Sequence, residues 1–237
     1  MKPTGKLLEV KELSKHYGSD SALTDINLCF DEKQIYGLLG RNGAGKTTLL
    51  NIISNRVFAD SGEIRWMGED LGRHSGIVRN LCYMPEKNYF QDLKLSMLLK
   101  NGQRFFFPDM DLDYAFGLAE VFDLDLAKKH KALSKGQDSI FKIIFGMASK
   151  SPITIFDEPI IGLDAVARDL FYRELIDEYT RDPRLFIIST HLIEELANAF
   201  GEVVILKDGA VYRQSTVDDL LASTFCISGR SGDVDVF

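Results

Sequence analysis

The chain has 237 residues, 45% hydrophobic and 27% charged, with 28 basic against 35 acidic side chains for a net charge of −7; this excludes a disordered protein, disfavours a broad nucleic-acid footprint and is enough to build one large α/β domain with a smaller inserted lobe. Cys29, Cys82 and Cys226 are far apart and show neither C-x-x-C nor Cys/His metal spacing, so buried thiols in a reducing cytosol are expected. No apolar signal region follows Lys2 and Pro3, and the richest apolar stretch, residues 140–156, is broken by Lys142, Lys150 and Pro152; if membrane work is involved, another chain must supply the span.

In chain order, Leu7-Leu8-Glu9-Val10 and Ala22-Leu23-Thr24-Asp25-Ile26-Asn27-Leu28-Cys29-Phe30 alternate as half-buried strands, with Tyr17-Gly18-Ser19-Asp20 as a turn between them. They predict a small antiparallel sheet. On the residues alone, Tyr17 reads as an ordinary packing tyrosine or as an aromatic that stacks on a base. Ile35-Tyr36-Gly37-Leu38-Leu39 is a buried strand by composition, and Leu49-Leu50-Asn51-Ile52-Ile53 continues with helix-compatible residues. Between them, Gly40-Arg41-Asn42-Gly43-Ala44-Gly45-Lys46-Thr47-Thr48 satisfies G-x-x-x-x-G-K-[ST] in full, in the strand, glycine loop and helix order that a P-loop needs. Its glycines let the backbone N–H groups face inward where a Cβ would block a phosphate, and the helix dipole adds attraction. In this reading Lys46 reaches the β- and γ-phosphates and the Thr47 hydroxyl ligates Mg²⁺. The alternative is a glycine-rich turn with an incidental lysine.

Residues 61–68 read as a hairpin strand and residues 80–84 as another, ended by Pro85-Glu86. Over residues 87–150 the texture becomes helical, with apolar spacing at Ala115, Leu118, Ala119 and Phe122, then at Ile140, Ile144, Met147 and Ala148. This predicts a helical lobe inserted between two parts of the core, residues 1–86 and 151–237. Residues 102–113, containing Arg104-Phe105-Phe106-Phe107-Pro108, form an aromatic break between helices; the phenylalanines read as core packing or, alternatively, as part of a docking surface for an apolar partner helix.

Ile153-Thr154-Ile155-Phe156 runs up to Asp157-Glu158-Pro159, placing two carboxylates at the carboxyl end of a parallel strand, where open α/β sheets bind ligands. Taken alone this is a capped strand; coupled to a P-loop, Asp157 holds Mg²⁺ and Glu158 faces an attacking water as general base. A helix over residues 165–179 and a buried strand over 185–191 follow, ending in His191, and Glu194 and Glu195 fall in the first turn of the next helix. A hairpin from residues 203–206 and 211–213 and a short capped helix over 216–222 close the readable part; residues 228–237 carry no pattern.

Leu133-Ser134-Lys135-Gly136-Gln137 resembles the L-S-G-G-Q signature of the nucleotide-binding subunits of ATP-binding cassette (ABC) transporters, and it lies between the P-loop and the Asp-Glu strand as in that family. The resemblance covers about residues 7–221. It implies an ABC ATPase fold: a P-loop core with a mainly parallel sheet, an N-terminal antiparallel β subdomain and an inserted helical subdomain. It further implies that Tyr17 stacks on adenine, that Gly40 through Thr48 is Walker A, that Asp157 is Walker B, that Glu158 is the catalytic glutamate, that Gly162-Leu163-Asp164 is the D-loop and that His191 is the switch histidine. Two such subunits pair head to tail around two ATP molecules, so Ser134 and Gly136 of one subunit contact the γ-phosphate held by Lys46 of the other, and ATP binding closes the dimer.

Two departures stand out. Glu86 replaces the family's usual glutamine and still offers an oxygen to Mg²⁺ or water, and Lys135 replaces the first signature glycine near the partner's γ-phosphate. Residues 106–111, Ile160-Ile161 and the run over 156–170 resemble bacterial exporter ATPases for antimicrobial peptides, antibiotics and related amphiphiles, which implies export. The implied partners are an integral membrane permease, docked between Glu86 and Phe107, and a second ATPase subunit of the same or a different chain, with no nucleic acid; the implied location is cytoplasmic, peripheral on the inner face of the cell membrane. A soluble ABC ATPase acting on ribosomes or nucleic acid is the alternative, opposed by the single cassette and the charge of −7. A kinase or GTPase is opposed by the signature and by the lack of N-K-x-D.

Overall fold

The computed structural model describes residues 6–70, 80–87, 90–192 and 200–223. Glu194, Glu195, Cys226 and residues 228–237 lie outside these. The expected N-terminal sheet is present and antiparallel: β1 (Lys6–Tyr17), β2 (Asp20–Asp31), β4 (Ser61–Trp66) and β5 (Glu69–Asp70) are ordered β2-β1-β4-β5. β1 runs well past the predicted residues 7–10. Its alternation fails at Lys11-Glu12, where the pairing register shifts and Glu12 adopts φ 48, then resumes at buried Leu13; a bulge broke the period without ending the strand.

The second sheet is ordered β10-β9-β3-β8-β7-β6, from β3 (Ile35–Leu39), β6 (Leu81–Met84), β7 (Ile153–Asp157), β8 (Leu185–Thr190), β9 (Glu202–Lys207) and β10 (Ala210–Thr216). Its pairs are parallel except β9 with β10. Every residue of β3, β6, β7 and β8 is buried, which explains their unbroken apolar runs: strands covered on both faces have no solvent side to alternate toward.

The helical insertion between β6 and β7 comprises α2 (Leu95–Phe105), α3 (Leu112–Val121), a 3₁₀ turn (His130–Ala132) and α4 (Lys135–Ala148). α1 (Lys46–Ile53) follows the glycine loop, α5 (Ala165–Arg181) follows β7, and α6 (Val217–Ala222) is capped by Thr216, which accepts from the Asp219 amide at 3.0 Å. α2 passes through Gly102, where a break was expected. A Cβ there would come within 2.6 Å of the Phe145 ring, so the glycine serves close packing inside a helix. The core reading of the three phenylalanines is corrected as well: Phe105 and Phe106 are 63% and 62% exposed, and only Phe107 turns inward, its ring 6.0 Å from that of Phe145.

The far end of α5 is pinned by fully buried Glu178, which takes Lys150 and Arg184, each at 2.6 Å. With exposed Arg181 at 3.6 Å from the other oxygen, a buried carboxylate held by three cations joins α4's exit, α5 and the start of β8. Among the described residues, no helix is long and apolar enough to cross a membrane.

Candidate nucleotide site

Strand register assembles the site. Leu39 pairs with Thr190 and Asp157 with Ser189, so the ends of β3, β8 and β7 lie side by side and deliver the loop at Gly40, His191 and Glu158 to one edge of the sheet. The loop leaves its backbone open: Gly43 adopts φ 84 and a Cβ there would meet nothing within 4 Å. Gly45, at φ 101, is hemmed in instead, its Cβ position 2.8 Å from the Ala22 carbonyl of β2. That contact seats the loop against the first sheet. Arg41, Asn42 and Thr47 are exposed along the loop, Ala44 is buried beneath it, and Thr48 is half-buried in the first turn of α1.

Lys46, the first residue of α1, is buried; its Nζ donates to the Gly40 carbonyl at 2.6 Å and lies 3.3 Å from Glu158 Oε1. Asp157 is 2% exposed and accepts from Thr47 Oγ1 at 2.9 Å and Tyr83 Oη at 3.2 Å through one oxygen, and from Ser189 Oγ through the other. Three donors offset the cost of burying this carboxylate. Glu158 follows in the left-handed region at φ 52, its amide donating to Ser189 Oγ at 3.0 Å. That backbone kink is costly for a residue with a side chain. It turns the Glu158 carboxylate between Lys46 and His191, whose Nδ1 is 2.9 Å from Oε2.

Lys46, Thr47, Asp157, Glu158 and His191 are therefore brought together, whereas the signature stretch forms a second group. Ser134 caps α4, its Oγ accepting from the Gln137 amide at 3.2 Å while Gln137 Oε1 accepts from the Ser134 amide at 3.2 Å. A Cβ on Gly136 would lie 2.6 Å from the Gly162 carbonyl, and the stem of exposed Lys135 packs against Gly162 as well. Within this one chain the signature touches the turn before Asp164, which caps α5 by accepting from the Ala167 amide at 2.8 Å. Glu86 is exposed and lines a cavity of about 80 Å³ with Asp157, Glu158 and Lys135. Tyr17 ends β1 at 51% exposure, with the Lys15 ammonium 5.5 Å from its ring centroid, so it is not a packed core tyrosine.

Ser189 and Tyr83 were not singled out by the sequence reading. The only signal for Ser189 was a polar pair, Ser189-Thr190, ending an apolar strand just before His191; Tyr83 had none beyond its place at a strand end.

The family described as ABC transporter matches residues 23–161. The ABC transporter ATP-binding protein YtrB of Bacillus subtilis is 31% identical, over 90% of this chain and 73% of its own length. The sulfate/thiosulfate import ATP-binding protein CysA of Bacillus cereus is 29% identical over 97% of this chain and 68% of its own. The taurine import ATP-binding protein TauB of Shigella dysenteriae is 29% identical over 86% and 80% respectively. A solved structure described as the ATP binding subunit of an ABC transporter superposes with a TM-score of 0.80 at 27% identity, covering 91% of this chain and 92% of that one.

The expectation of export is overturned by these relatives, because CysA and TauB are import proteins. The residues that prompted it, 106–111 and 156–170, build the connection from α2 to α3, with Phe106 exposed and Met110 buried, and the passage from the end of β7 into α5. The P-loop core, the antiparallel N-terminal sheet and the inserted helices all agree with the relatives' architecture, and the chain belongs to the ABC transporter family as an ATP-binding subunit with an ATPase fold that takes ATP and Mg²⁺.

Proposed function

We propose that this chain is the motor of a separate membrane permease and that Lys46, Thr47, Asp157, Glu158 and His191 carry out its ATP hydrolysis. The observation that carries this reading is the Glu158 carboxylate held between Lys46 and His191 at the rim of the open glycine loop. The residues fit Mg²⁺ and ATP. Gly43 leaves backbone open to a phosphate, and Thr47 and Asp157 place two hard oxygen donors 2.9 Å apart. Thr47 and Asp157 would hold Mg²⁺, which would supply charge neutralisation to the phosphates.

In this account Lys46 exchanges Glu158 for the β- and γ-phosphate oxygens, and Glu158, so released, takes the proton of the water that attacks the γ-phosphorus as the bond from that phosphorus to the β–γ bridging oxygen breaks, leaving ADP and phosphate. His191 keeps the Glu158 carboxylate oriented and senses the γ-phosphate. The amides of Gly40 through Thr48 cradle the phosphates, Tyr17 stacks on adenine and Glu86 offers an oxygen to the metal or its water. Ser134, Lys135, Gly136 and Gln137 act across a dimer, on the nucleotide of a second ATPase subunit, with Asp164 at the same interface. Within its own chain the signature stretch packs on Gly162, next to Asp164, which is consistent with one shared surface for the two.

ABC ATPase domains pair with a permease and a second nucleotide-binding domain. For this chain we place the permease contact between Glu86 and Phe107 on the inserted lobe of residues 87–150, where the exposed rings of Phe105 and Phe106 offer apolar area, and the subunit itself on the cytoplasmic face of the membrane. Gentle solubilisation of native membranes tests this: the chain co-purifies with a multispanning protein, and Phe105→Ser with Phe106→Ser loosens it. Recovery on ribosomes with no membrane protein would overturn the transporter assignment of this chain.

A further inference from the structure

α4 is apolar along most of its buried face, yet it carries Lys142 at 7% exposure between Phe141 and Ile143. A buried ammonium is costly unless it finds acceptors and a counter-charge. It has both here. Nζ lies 2.8 Å from Asp138 Oδ2, one turn earlier, and donates to the backbone carbonyl of Glu86 at 2.7 Å. Through its other oxygen Asp138 meets His130 Nε2 at 2.8 Å. His130 is itself buried, belongs to the 3₁₀ turn leading directly into Leu133-Ser134, and packs beside the rings of Phe90 and Phe141. Beside this chain of contacts, Ser139 Oγ donates to the Ile161 carbonyl at 2.7 Å.

The first two turns of α4 thus hold three segments at once: the Glu86 segment after β6, the turn before Ser134 and the turn before Asp164. An apolar side chain at position 142 would pack with less desolvation cost, so the polar contacts need another reason. A cavity of about 80 Å³ lies beside Lys142 and Glu86. Because Lys142 takes the backbone oxygen of Glu86, the carboxylate stays out of the tether.

We infer that Lys142, braced by Asp138 and His130, is a positioning residue for ATP hydrolysis. It ties the Glu86 segment to the helix that presents Ser134 and Gly136, so that movement of Glu86 toward the Thr47–Asp157 pair carries α4 with it. This rests on the roles proposed above for Glu86 and the signature stretch. Lys142 touches no substrate; it acts through the Glu86 backbone.

The test compares Lys142→Met, which keeps most of the stem and removes the charge, with Lys142→Arg, which keeps the charge, in the full chain. Binding of labelled ATP, kcat and thermal midpoint are measured for each. Lys142→Met is expected to bind ATP within about twofold of wild type while kcat falls by roughly tenfold, and Lys142→Arg to recover kcat to within about threefold. Asp138→Asn, a second route to the same break, lowers kcat on its own and adds little in the Lys142→Met background. Wild-type kcat in Lys142→Met or, should that variant not fold, in Asp138→Asn overturns the inference. So does a loss of kcat that merely tracks a loss of ATP binding and thermal midpoint, with no recovery by arginine. Glu158→Gln in the same assay separates the two levels: if it hydrolyses normally the site reading fails, whereas if it is inactive and Lys142→Met is not impaired, only the tether fails.

Discussion

The Lys46 ammonium stands 3.3 Å from Glu158 Oε1 while donating to the Gly40 carbonyl, so one buried cation bridges the glycine loop and the end of β7. Phosphate and carboxylate therefore compete for the same ammonium. Lys46→Ala removes a charged contact of about 1.5–3 kcal/mol, and ATP affinity is expected to fall roughly 10–100-fold. Titration with a labelled nucleotide measures this directly. Unchanged affinity would place the nucleotide elsewhere.

The two sides of the aromatic corner should respond differently. Phe106 is 62% exposed, and Phe106→Ser should move unfolding free energy by no more than about 0.5 kcal/mol. Phe107 packs toward Phe145, and Phe107→Ala should cost about 2 kcal/mol or more. Denaturant titration of the two variants checks the contrast; equal losses would show that both rings lie inside.

Much of the site was legible because its motifs dictate backbone locally. Gly40 through Thr48 specify a loop at any sheet edge, and Asp157, Glu158 and His191 each end an apolar run. What could not be read were contacts made by register. Ser189 and Tyr83 hold Asp157 only once β6, β7 and β8 lie side by side, and nothing in their own neighbourhoods announces it. Gly102 looked like a helix break because a Phe145 ring 43 residues away was invisible to local pattern. Lys142, in the sequence merely an interruption of an apolar stretch, proves to be the charge that joins α4 to the Glu86 segment.

Alkaline pH should destabilise the fold. Burial pushes the Cys82 thiol from its ordinary 9.0 up to about 12, and burial likewise pushes the Tyr36 hydroxyl from 10.0 up to about 12. The folded chain keeps these protons while the unfolded chain releases them, so stability is full below about pH 9 and declines as pH rises toward about 12. Tyr36→Phe removes one of the two groups and should flatten the upper part of that decline, although it forfeits the hydrogen bond from the Asp31 amide at every pH. Denaturation midpoints across this range read the slope; a flat profile would contradict the assignment.

ATP turnover by Glu158→Gln tests the central claim most directly. With Lys46, Thr47 and Asp157 untouched and the carboxylate that competes for Lys46 neutralised, the variant is predicted to bind ATP at least as tightly as wild type, to lose hydrolysis by roughly 10²–10⁴-fold and to accumulate as an ATP-bound dimer. Hydrolysis at the wild-type rate would contradict the account, because some other group would then be taking the proton of the attacking water.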